Sequence, residues 1–355
     1  MSGRKLNRRQ TWRAEKIQQE RSNRANRKQR DLATQVQSGE LSSEQQGLVI
    51  SRYSKHFEVE ALEGEDQGKI HDCVTRSNIG SIVAGDTIVW RSGAAQTGVI
   101  ESRHKRKSIL ERPDNFGRLK PVAANIDQML IVIACEPSPQ PNLVDRYLVA
   151  AELMKVKPII VVNKADLLTD QHQQIESLIA QFRSLGYEVV KIISSRHQAP
   201  DLAELPGLIN GRTSIVVGQS GVGKSSLINT LLPQANLEIG ALSEQTREGT
   251  HTTTQAKLFH LPQGGLLQGG QLIDSPGIRD FSLWHITVEQ LEIGFVEIAK
   301  QLGHCRFRDC RHENEPACAV LKAVQSGIIG ERRFSSFLRI KSAILEQQAR
   351  GLSLS

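Results

Sequence analysis

Residues 218–225 have the types and spacing of a phosphate-binding loop, G-x-x-x-x-G-K-S. A β-branched run precedes them and a plausible helix follows, so glycine-rich backbone N–H groups and a helix N-terminus would face phosphate oxygens. The ammonium group of Lys224 would reach the outer phosphates, and the Ser225 hydroxyl would bind magnesium. The alternative is a glycine-rich turn that binds no ligand. The complete pattern between a strand and a helix disfavours this alternative. The segment therefore predicts a nucleotide site.

The tetrapeptide N-K-A-D at residues 163–166 indicates which base is bound, because it follows an apolar strand. The Asp166 carboxylate can accept two hydrogen bonds from the ring edge of guanine. Adenine has the opposite donor pattern and would leave buried acceptors unpaired, at about 1–3 kcal/mol per group. Asn163 would orient the loop, and the stem of Lys164 would lie over the base. Alone, the pattern is equally typical of a polar turn after a strand; with the phosphate loop it predicts a guanine nucleotide.

Two further segments have the character of switch regions. Residues 274–277 end a strand in D-x-x-G, where Asp274 could hold magnesium through water and the Gly277 N–H could sense the third phosphate. Upstream, a polar, turn-rich stretch at about 239–256 offers threonine hydroxyls, one of which could complete the magnesium shell. Such a stretch is expected to move on nucleotide exchange.

The order of these segments is reversed relative to an ordinary GTPase, in which the phosphate loop precedes the guanine reader. The chain therefore has the pattern of a guanine-nucleotide domain whose ends have been moved. Ser194 and Ser195 occupy the place of the last base-contacting loop, although a plain strand exit is an equal alternative there. The predicted GTP-binding residues are Asn163, Lys164, Ala165, Asp166, Ser194, Ser195, Gly218, Gln219, Ser220, Gly221, Val222, Gly223, Lys224, Ser225, Ser226, Thr252, Thr253, Asp274 and Gly277.

The residue after Gly277 bears on the mechanism of hydrolysis. Many GTPases carry there the glutamine that orients the attacking water, but this chain has Ile278, which cannot position water. Either hydrolysis is slow alone or another group acts, and His251 in the first switch region is the best candidate for a catalytic residue within the chain. A solvated loop histidine is the alternative.

A second chemical site is predicted near the C-terminus. Cys305, Cys310, His312 and Cys318 form C-x₄-C-x-H-x₅-C, and these three cysteines are drawn from only five in the chain. Three thiolates and one imidazole match closed tetrahedral zinc, a structural metal without an open position for catalysis. Unpaired thiols are the alternative. His304 is a rival ligand, but its position directly beside Cys305 would strain the local geometry.

The basic excess of the chain is confined to its N-terminal segment. Net charge is +7 over 355 residues, and residues 1–30 hold eleven Lys or Arg against two Glu. This segment has too few apolar residues to fold alone, so it is expected to be an arm for an RNA backbone or, alternatively, a solubilising tail. No apolar run approaches the roughly 18 residues of a membrane span and no secretory signal is evident, so we expect a cytoplasmic protein.

The element patterns predict a multidomain α/β protein. Five short candidate strands in 47–118 suggest a small barrel, of oligonucleotide-binding (OB) or SH3-like type. The basic cluster 103–107 would lie on one rim of this barrel, where a solvated charge run is an even alternative, and 113–117 resembles a linker. The predicted order is a flexible basic tail at 1–46, an RNA-binding barrel at 47–118, a circularly permuted, mostly parallel P-loop GTPase domain with helices on both faces at 119–285, and a helical zinc-binding domain at 286–355.

With these segments in place, the chain resembles the circularly permuted GTPases of small-ribosomal-subunit biogenesis, the RsgA or YjeQ family, from about residue 47 to about 340. The resemblance implies GTP hydrolysis stimulated by the small (30S) subunit, an OB barrel that binds 16S rRNA, and late maturation with release of assembly factors. It also implies one structural zinc at the Cys and His set above, magnesium with GTP, and His251 as the residue that positions water. We expect a monomer without a membrane partner.

Three functions compete at this stage. The first is a GTPase switch that uses barrel and zinc domain as clamps on RNA. The second is an RNA-binding assembly protein in which GTP sets affinity and hydrolysis is incidental. The third is an ATP-using nucleic-acid enzyme, against which Asp166 argues. The permuted order also joins the segment after Gly277 directly to the zinc domain, so we hypothesise that changes at the third phosphate swing that domain.

Overall fold

The structure is a computed structural model that describes residues 41–76, 79–113, 118–169, 172–194, 199–232, 256–274, 283 and 285–349. Two compact units divide the chain. The first includes residues up to 82 together with 87–104, and the second comprises 83–86 and the chain from 105 onward. The segments predicted to form the GTPase domain and the C-terminal helices therefore belong to one unit where the structure describes them.

The first unit is a closed five-stranded barrel. Its strands are β1 (Gln45–Tyr53), β2 (His56–Ala61), β3 (Ile70–Thr75), β4 (Thr87–Ser92) and β5 (Thr97–Arg103). The order is β1-β2-β3-β5-β4, β4 returns to pair with β1, and β3 runs parallel to β5. This closed Greek-key order is that of an OB fold. Strand spacing alone did not distinguish an OB barrel from an SH3-like barrel, and the strand pairing does.

The barrel interior is filled around Trp90, which is completely buried. Two glycines make room for its indole: a Cβ on Gly47 would lie 2.6 Å from the ring, and one on Gly98 would lie 2.7 Å from it. Alternate residues of β2 point inward, as the burial pattern of His56–Ala61 shows, because side chains alternate across a strand.

A hairpin follows the barrel strands. Strands β6 (Ile109–Pro113) and β7 (Leu119–Ala124) pair in antiparallel fashion. The sequence suggested a linker at 113–117. Residues 114–117 lie outside the part of the chain that the structure describes, and the strands on either side of them pair with each other within the second unit. Arg106, from the basic cluster, is bound to the buried Asp86 at 2.7 Å and is not a free rim charge.

The central sheet of the second unit is mostly parallel. Its strands are β8 (Gln128–Ala134), β9 (Lys157–Asn163), β10 (Glu188–Lys191), β11 (Thr213–Gly218), β12 (Lys257–His260) and β15 (Gln271–Asp274), with β13 (Gln263–Gly264) and β14 (Leu267–Gln268) as a separate small hairpin. The order in space is β10-β9-β8-β11-β15-β12, and only β12 is antiparallel to its neighbour. All seven residues of β8 are buried, as expected for a strand covered on both faces.

Helices connect the strands and form the C-terminal part. They are α1 (Pro141–Met154), α2 (Gln173–Ser184), α3 (Leu205–Ile209), α4 (Lys224–Leu231), α5 (Val288–Gly294), α6 (Val296–Ala299), α7 (Ala319–Gln325) and α8 (Glu331–Ala349). Proline at the first position opens α1, where a missing N–H costs nothing, and Lys155 in a left-handed conformation ends it. Thr287 and Gln290 form a capping box that starts α5.

The C-terminal helices pack on α1. Gly294 at the end of α5 lies so close to Val149 that a Cβ would be 2.6 Å from its side chain. The buried face of α8 follows helical spacing and consists of Arg333, Ser336, Phe337, Ile340, Lys341 and Ile344. The aromatic rings of Phe337 and Phe295 meet edge to face at 5.6 Å, a favourable geometry for such pairs.

The sequence predicts a basic side on the C-terminal domain from Arg332, Arg333, Arg339 and Lys341, and in the structure this side is smaller. Arg333 and Lys341 are buried, at 1% and 4% exposure, and both are bonded to protein oxygens. Arg339 is exposed, and Arg332 is partly so. Among the described residues, none of the helices combines the length and the apolar character that crossing a membrane requires.

Candidate functional site

Four strands deliver the predicted nucleotide-binding residues to one edge of the sheet. Asn163 ends β9, Ser194 follows β10, Gly218 ends β11 and Asp274 ends β15. These strands are parallel, so their carboxyl ends meet at the same edge, the usual place for a ligand in an open α/β sheet. The phosphate-loop strand β11 lies between β8 and β15, at the centre.

The phosphate loop requires glycine at specific positions. Gly218 has φ +142°, and a Cβ there would lie 2.2 Å from the Val132 carbonyl oxygen. Gly223 has φ +90°, and a Cβ there would lie 2.2 Å from the Asn163 amide nitrogen. Val222 between them is buried in the core and anchors the loop. Helix α4 begins directly after Gly223 without a side-chain cap, so its amide N–H groups and dipole are directed at the loop.

Asn163 links three segments of the site. Its side-chain amide donates to the Val222 carbonyl at 2.9 Å, and its oxygen accepts from the Ser194 N–H at 3.1 Å and from the Ser194 hydroxyl at 2.9 Å. Asn163 is 1% exposed, so these bonds replace all contact with water. The guanine-reading segment, the phosphate loop and the segment after β10 are thereby held in one arrangement.

Lys164 and Asp166 follow the buried Asn163 and are closer to solvent than it is. Lys164 adopts a left-handed conformation and its ammonium group donates to the Glu136 carbonyl at 2.6 Å. Asp166 lies in the short 3₁₀ turn Ala165–Leu167, and its side chain is exposed. This exposed carboxylate lies on a short turn close to the buried Asn163, so it is accessible to a guanine base that enters from solvent.

The groups predicted to meet phosphate and magnesium are on the same side. Lys224 donates to the carbonyls of Gly218 and Gln219, at 2.8 and 2.7 Å, so its ammonium group lies inside the loop. Ser225 and Ser226 in the first turn of α4 are half-buried, as is Asp274 at the end of β15. The structure therefore brings the described part of the predicted set together at one end of the sheet.

Some predicted residues fall outside the part of the chain that the structure describes. These are Ser195, His251, Thr252, Thr253 and Gly277, together with Ile278 and the basic segment 1–40. The roles assigned to them remain predictions.

The second site is a group that could hold a metal ion. The ligand atoms of Cys305, Cys310, His312 and Cys318 all lie within 4.8 Å of one another. A tetrahedral zinc with ordinary bond lengths places two sulfurs about 3.8 Å apart and a sulfur and a nitrogen about 3.6 Å apart. The Sγ atoms of Cys305 and Cys318 are 3.8 Å apart, and Cys305 Sγ is 3.6 Å from His312 Nδ1. The donor set and its spacing therefore fit tetrahedral coordination. The alternative ligand His304 is not part of the group.

The loop that carries this group is fixed by two charged side chains. The Glu315 carboxylate accepts from the N–H groups of Arg311 and Glu313 at 2.7 and 2.8 Å, which lowers the pKa of Glu315 to about 2. Lys341 on α8 donates to the Arg311 carbonyl at 2.7 Å and to the Glu313 carboxylate at the same distance. The loop is thus attached to the longest helix of the unit.

Protonation at the cluster follows from its surroundings. Burial, and then hydrogen bonding to Cys318 and Cys305, raises the pKa of Cys310 to about 12, because crowded thiols resist ionisation without a cation. Burial, followed by the Lys341 charge, lowers the pKa of His312, which favours the neutral ring that binds metals. A bound cation would take the place of the thiol protons.

Sequence reasoning missed a buried ion-pair network that joins the C-terminal helices to helix α1. Arg333 donates to Asp145 at 2.7 Å and to Glu297 at 2.6 Å, and its guanidinium lies 4.4 Å from the centre of the Phe295 ring. Burial alone would lower the pKa of Arg333, but the bond to Glu297 and the two carboxylate charges raise it. No local motif marks such a network. The one sequence signal was an Asp within the apolar helix α1.

The strand that carries the phosphate loop is central in the sheet. The guanine-reading segment precedes this loop in sequence and is hydrogen-bonded to it in the structure. This arrangement defines a circularly permuted GTPase. The family model described as RsgA GTPase matches residues 103–284. A Marinobacter nauticus protein, "Small ribosomal subunit biogenesis GTPase RsgA", is 51% identical over 355 residues, which cover 100% of both chains. The chain belongs to the RsgA family of small ribosomal subunit biogenesis GTPases.

Further relatives agree with this assignment. A Hahella chejuensis protein of the same description is 53% identical over 348 residues, covering 98% of each chain. The crystal structure of YjeQ from Thermotoga maritima is similar with a TM-score of 0.67 and 28% identity, covering 85% of this chain and 99% of that one. The structure of YloQ, described as a circularly permuted GTPase, has a TM-score of 0.64 and 29% identity, covering 86% and 96%.

Proposed function

We propose that the chain hydrolyses GTP as a switch on the small ribosomal subunit during its late maturation. The observation that carries the proposal is the Asn163 link, which fixes the guanine-reading segment and the phosphate loop in one rigid arrangement. Preorganised donors at a nucleotide are the main source of catalysis in phosphoryl transfer. Membership of the RsgA family supplies the biological setting.

Each residue has a role in this proposal. Asp166 accepts hydrogen bonds from guanine, the amides of the phosphate loop and Lys224 bind the phosphates, and Ser225 with Asp274 holds magnesium. When bound, magnesium would neutralise the charge that develops on the phosphates. A hydroxyl from the pair Thr252 and Thr253 completes the magnesium shell, and the Gly277 N–H senses the third phosphate.

Positioning of the attacking water is assigned to His251. A glutamine is absent at position 278, where isoleucine stands, so the water needs another hydrogen-bonding group. An imidazole in the first switch region supplies one. This assignment predicts slow hydrolysis by the free protein and faster hydrolysis when the ribosomal subunit orders the switch.

The metal at the C-terminal cluster is proposed to be a single structural zinc. Three thiolates and one imidazole leave no open position, so the ion would hold the loop 305–318 against α8 and take no part in hydrolysis. The match between the observed donor spacing and tetrahedral zinc supports this identity.

The proposed partners are the small subunit with its 16S rRNA, GTP and GDP, and the assembly factors released when maturation ends. The OB barrel and the N-terminal basic segment are the proposed RNA-binding parts. A ribosomal subunit as partner implies a cytoplasmic site of action. We propose that the chain acts as a monomer.

Sedimentation with purified ribosomal particles tests the proposal. Small subunits, large subunits and free RNA are each mixed with the protein and either GDP or a non-hydrolysable GTP analogue. The expected result is binding to small subunits only, stronger with the analogue. In a parallel assay with GTP, small subunits should raise turnover well above the intrinsic rate. Binding that ignores the nucleotide would contradict the switch. Binding without stimulated turnover would favour an RNA-binding assembly protein in which hydrolysis is incidental.

A further inference from the structure

An open cavity of about 620 Å³ lies between the N-terminal end of α1 and the first half of α8. Its lining residues are Pro139, Gln140, Pro141, Asn142, Leu143, Arg146, Arg332, Ser335, Ser336 and Arg339. Three of these ten side chains are arginines, and none of this described lining is acidic. The volume is in the usual range of ligand sites, about 300–1,000 Å³, and exceeds what a single small ion needs.

The arginines of this cavity are positioned by the protein. Arg146 donates to the neutral amide oxygen of Asn142 at 2.8 Å, and the Asn142 amide donates to the Ser336 hydroxyl at 2.9 Å. Arg332 is fixed by the buried Asp145 at 2.9 Å and keeps 30% of its side chain exposed. Arg339 is exposed at the rim. The guanidinium groups therefore come from both helices that form the walls.

The chemistry of the cavity selects phosphate. Planar guanidinium groups bind phosphate oxygens in pairs, and all three basic residues are arginines. The cavity also includes the start of α1, where Gln140 makes no side-chain cap and the helix dipole favours an anion. No aromatic ring is among the described lining residues. The guanidinium groups therefore favour a backbone phosphate as the bound group.

We propose that this cavity binds phosphodiester groups of the ribosomal RNA, an assignment that rests on the proposed function. An open cavity with three arginines among its lining residues fits a strand passing through it better than an enclosed small molecule. The phosphates would bridge α1 of the GTPase part and α8 of the metal-binding part.

The cavity also lies next to the nucleotide site. Gln140 and Leu143 line it on one side, and the same two residues line a small cavity whose other walls include Gly218, Gln219 and Val222 of the phosphate loop. An RNA phosphate bound at the start of α1 is thus separated from the phosphate loop by one layer of side chains. This placement gives the subunit a contact through which to affect GTP turnover.

Salt-dependent binding of small subunits tests the proposal. The variants are Arg339→Gln and the double variant Arg146→Gln/Arg339→Gln, and the matched control is Lys300→Gln, an exposed cation outside the cavity. Affinity for small subunits with a non-hydrolysable GTP analogue is measured between about 50 and 200 mM salt. The slope of log affinity against log salt should become shallower by about 1 for each arginine removed, with the slope of the control unchanged. Thermal unfolding checks that each variant is folded, and the exposed Arg339 keeps the test valid if the double variant is unstable.

The outcomes separate this proposal from the function on which it rests. Wild-type binding with wild-type slopes in both arginine variants would overturn the cavity assignment alone. Failure of the wild-type protein to bind small subunits would overturn the proposed function and the cavity assignment with it. A third measurement uses inorganic triphosphate with the GDP-bound protein. If the double variant loses triphosphate binding but retains wild-type subunit binding, the site serves a free phosphorylated ligand and the RNA assignment is wrong.

Discussion

Arg333 on helix α8 donates a hydrogen bond to Asp145 on helix α1 at 2.7 Å, and both side chains are completely shielded from water. The guanidinium also binds Glu297 through two nitrogens, at 2.6 and 3.0 Å, and Arg332 adds a second cation to Asp145. Two cations thus face two carboxylates. The network joins the metal-binding region to the helix that follows β8, so a swing of α8 away from the sheet would have to expose paired charges.

The first prediction concerns this network. Arg333→Met leaves two buried carboxylates with one remaining cation, and removing one partner of a buried pair costs about 3–5 kcal/mol. The free energy of unfolding, measured by urea denaturation, should fall by that amount. Arg339→Met is the matched control on the same helix, because its exposed side chain should contribute about 0.5 kcal/mol or less. Equal losses for the two variants would contradict the assigned role.

The second prediction concerns the Asn163 link. Asn163→Ala removes the donor to Val222 and the acceptor for Ser194, leaving buried groups unpaired at about 1–3 kcal/mol each. GTP and GDP affinities, measured by fluorescence titration, should both fall more than about tenfold. Ser194→Ala removes only the hydroxyl contact and keeps the backbone one, so a smaller loss is expected. A Ser194→Ala effect as large as that of Asn163→Ala would show that the link does not depend on Asn163.

The sequence predicted the elements that carry these residues because their signals are local. The strand before Asn163, the strand that ends in Asp274 and the loop at 218–225 each have a continuous local pattern, and the structure has an element at each place. The metal group was predicted for the same reason, since its four ligands fall within fourteen residues.

Features that depend on pairing of distant segments were not predicted. Asp145 and Arg333 are separated by 188 positions, and the sequence suggested only that Arg333 belongs to a basic surface. Lys341 was assigned to the same surface, yet its ammonium group is buried against the metal-binding loop. The choice of an OB barrel also required the parallel pairing of β3 with β5, because strand lengths alone fit more than one barrel.

The third prediction concerns base selection by Asp166. Asp166→Asn replaces one carboxylate oxygen by an NH₂ donor, which cannot accept from guanine but can donate to the carbonyl that xanthine has in place of the guanine amino group. GTP affinity should fall about 100-fold, because one charge-assisted hydrogen bond is lost and the other loses its charge, and xanthosine triphosphate should bind more tightly than GTP. Glu204→Gln, an exposed charge removal elsewhere, should leave this preference unchanged. An unaltered preference in Asp166→Asn would remove Asp166 from the base contact.

The fourth prediction concerns the metal. Cys305→Ser should reduce zinc content, measured by atomic absorption, from about one ion per chain to a small fraction, because a four-ligand structural site tolerates loss of a thiolate poorly. Thermal stability of the metal-binding region should fall with it. Cys135→Ser changes a buried cysteine outside the group and should keep the zinc. Retention of zinc by Cys305→Ser would show that the ion, if bound, lies elsewhere.

The fifth prediction concerns hydrolysis. If His251 orients the attacking water, His251→Ala should lower the single-turnover rate with small subunits present by about 100-fold, the lower end of the contribution of a positioned acid–base group, and leave GTP affinity unchanged. The matched control is His260→Ala, because His260 is paired with Gln271 at the start of β15, at the opposite edge of the sheet from Asp274. The rate of this control should equal that of the wild type. Unchanged hydrolysis in His251→Ala both with and without subunits would remove the role of His251 in positioning water.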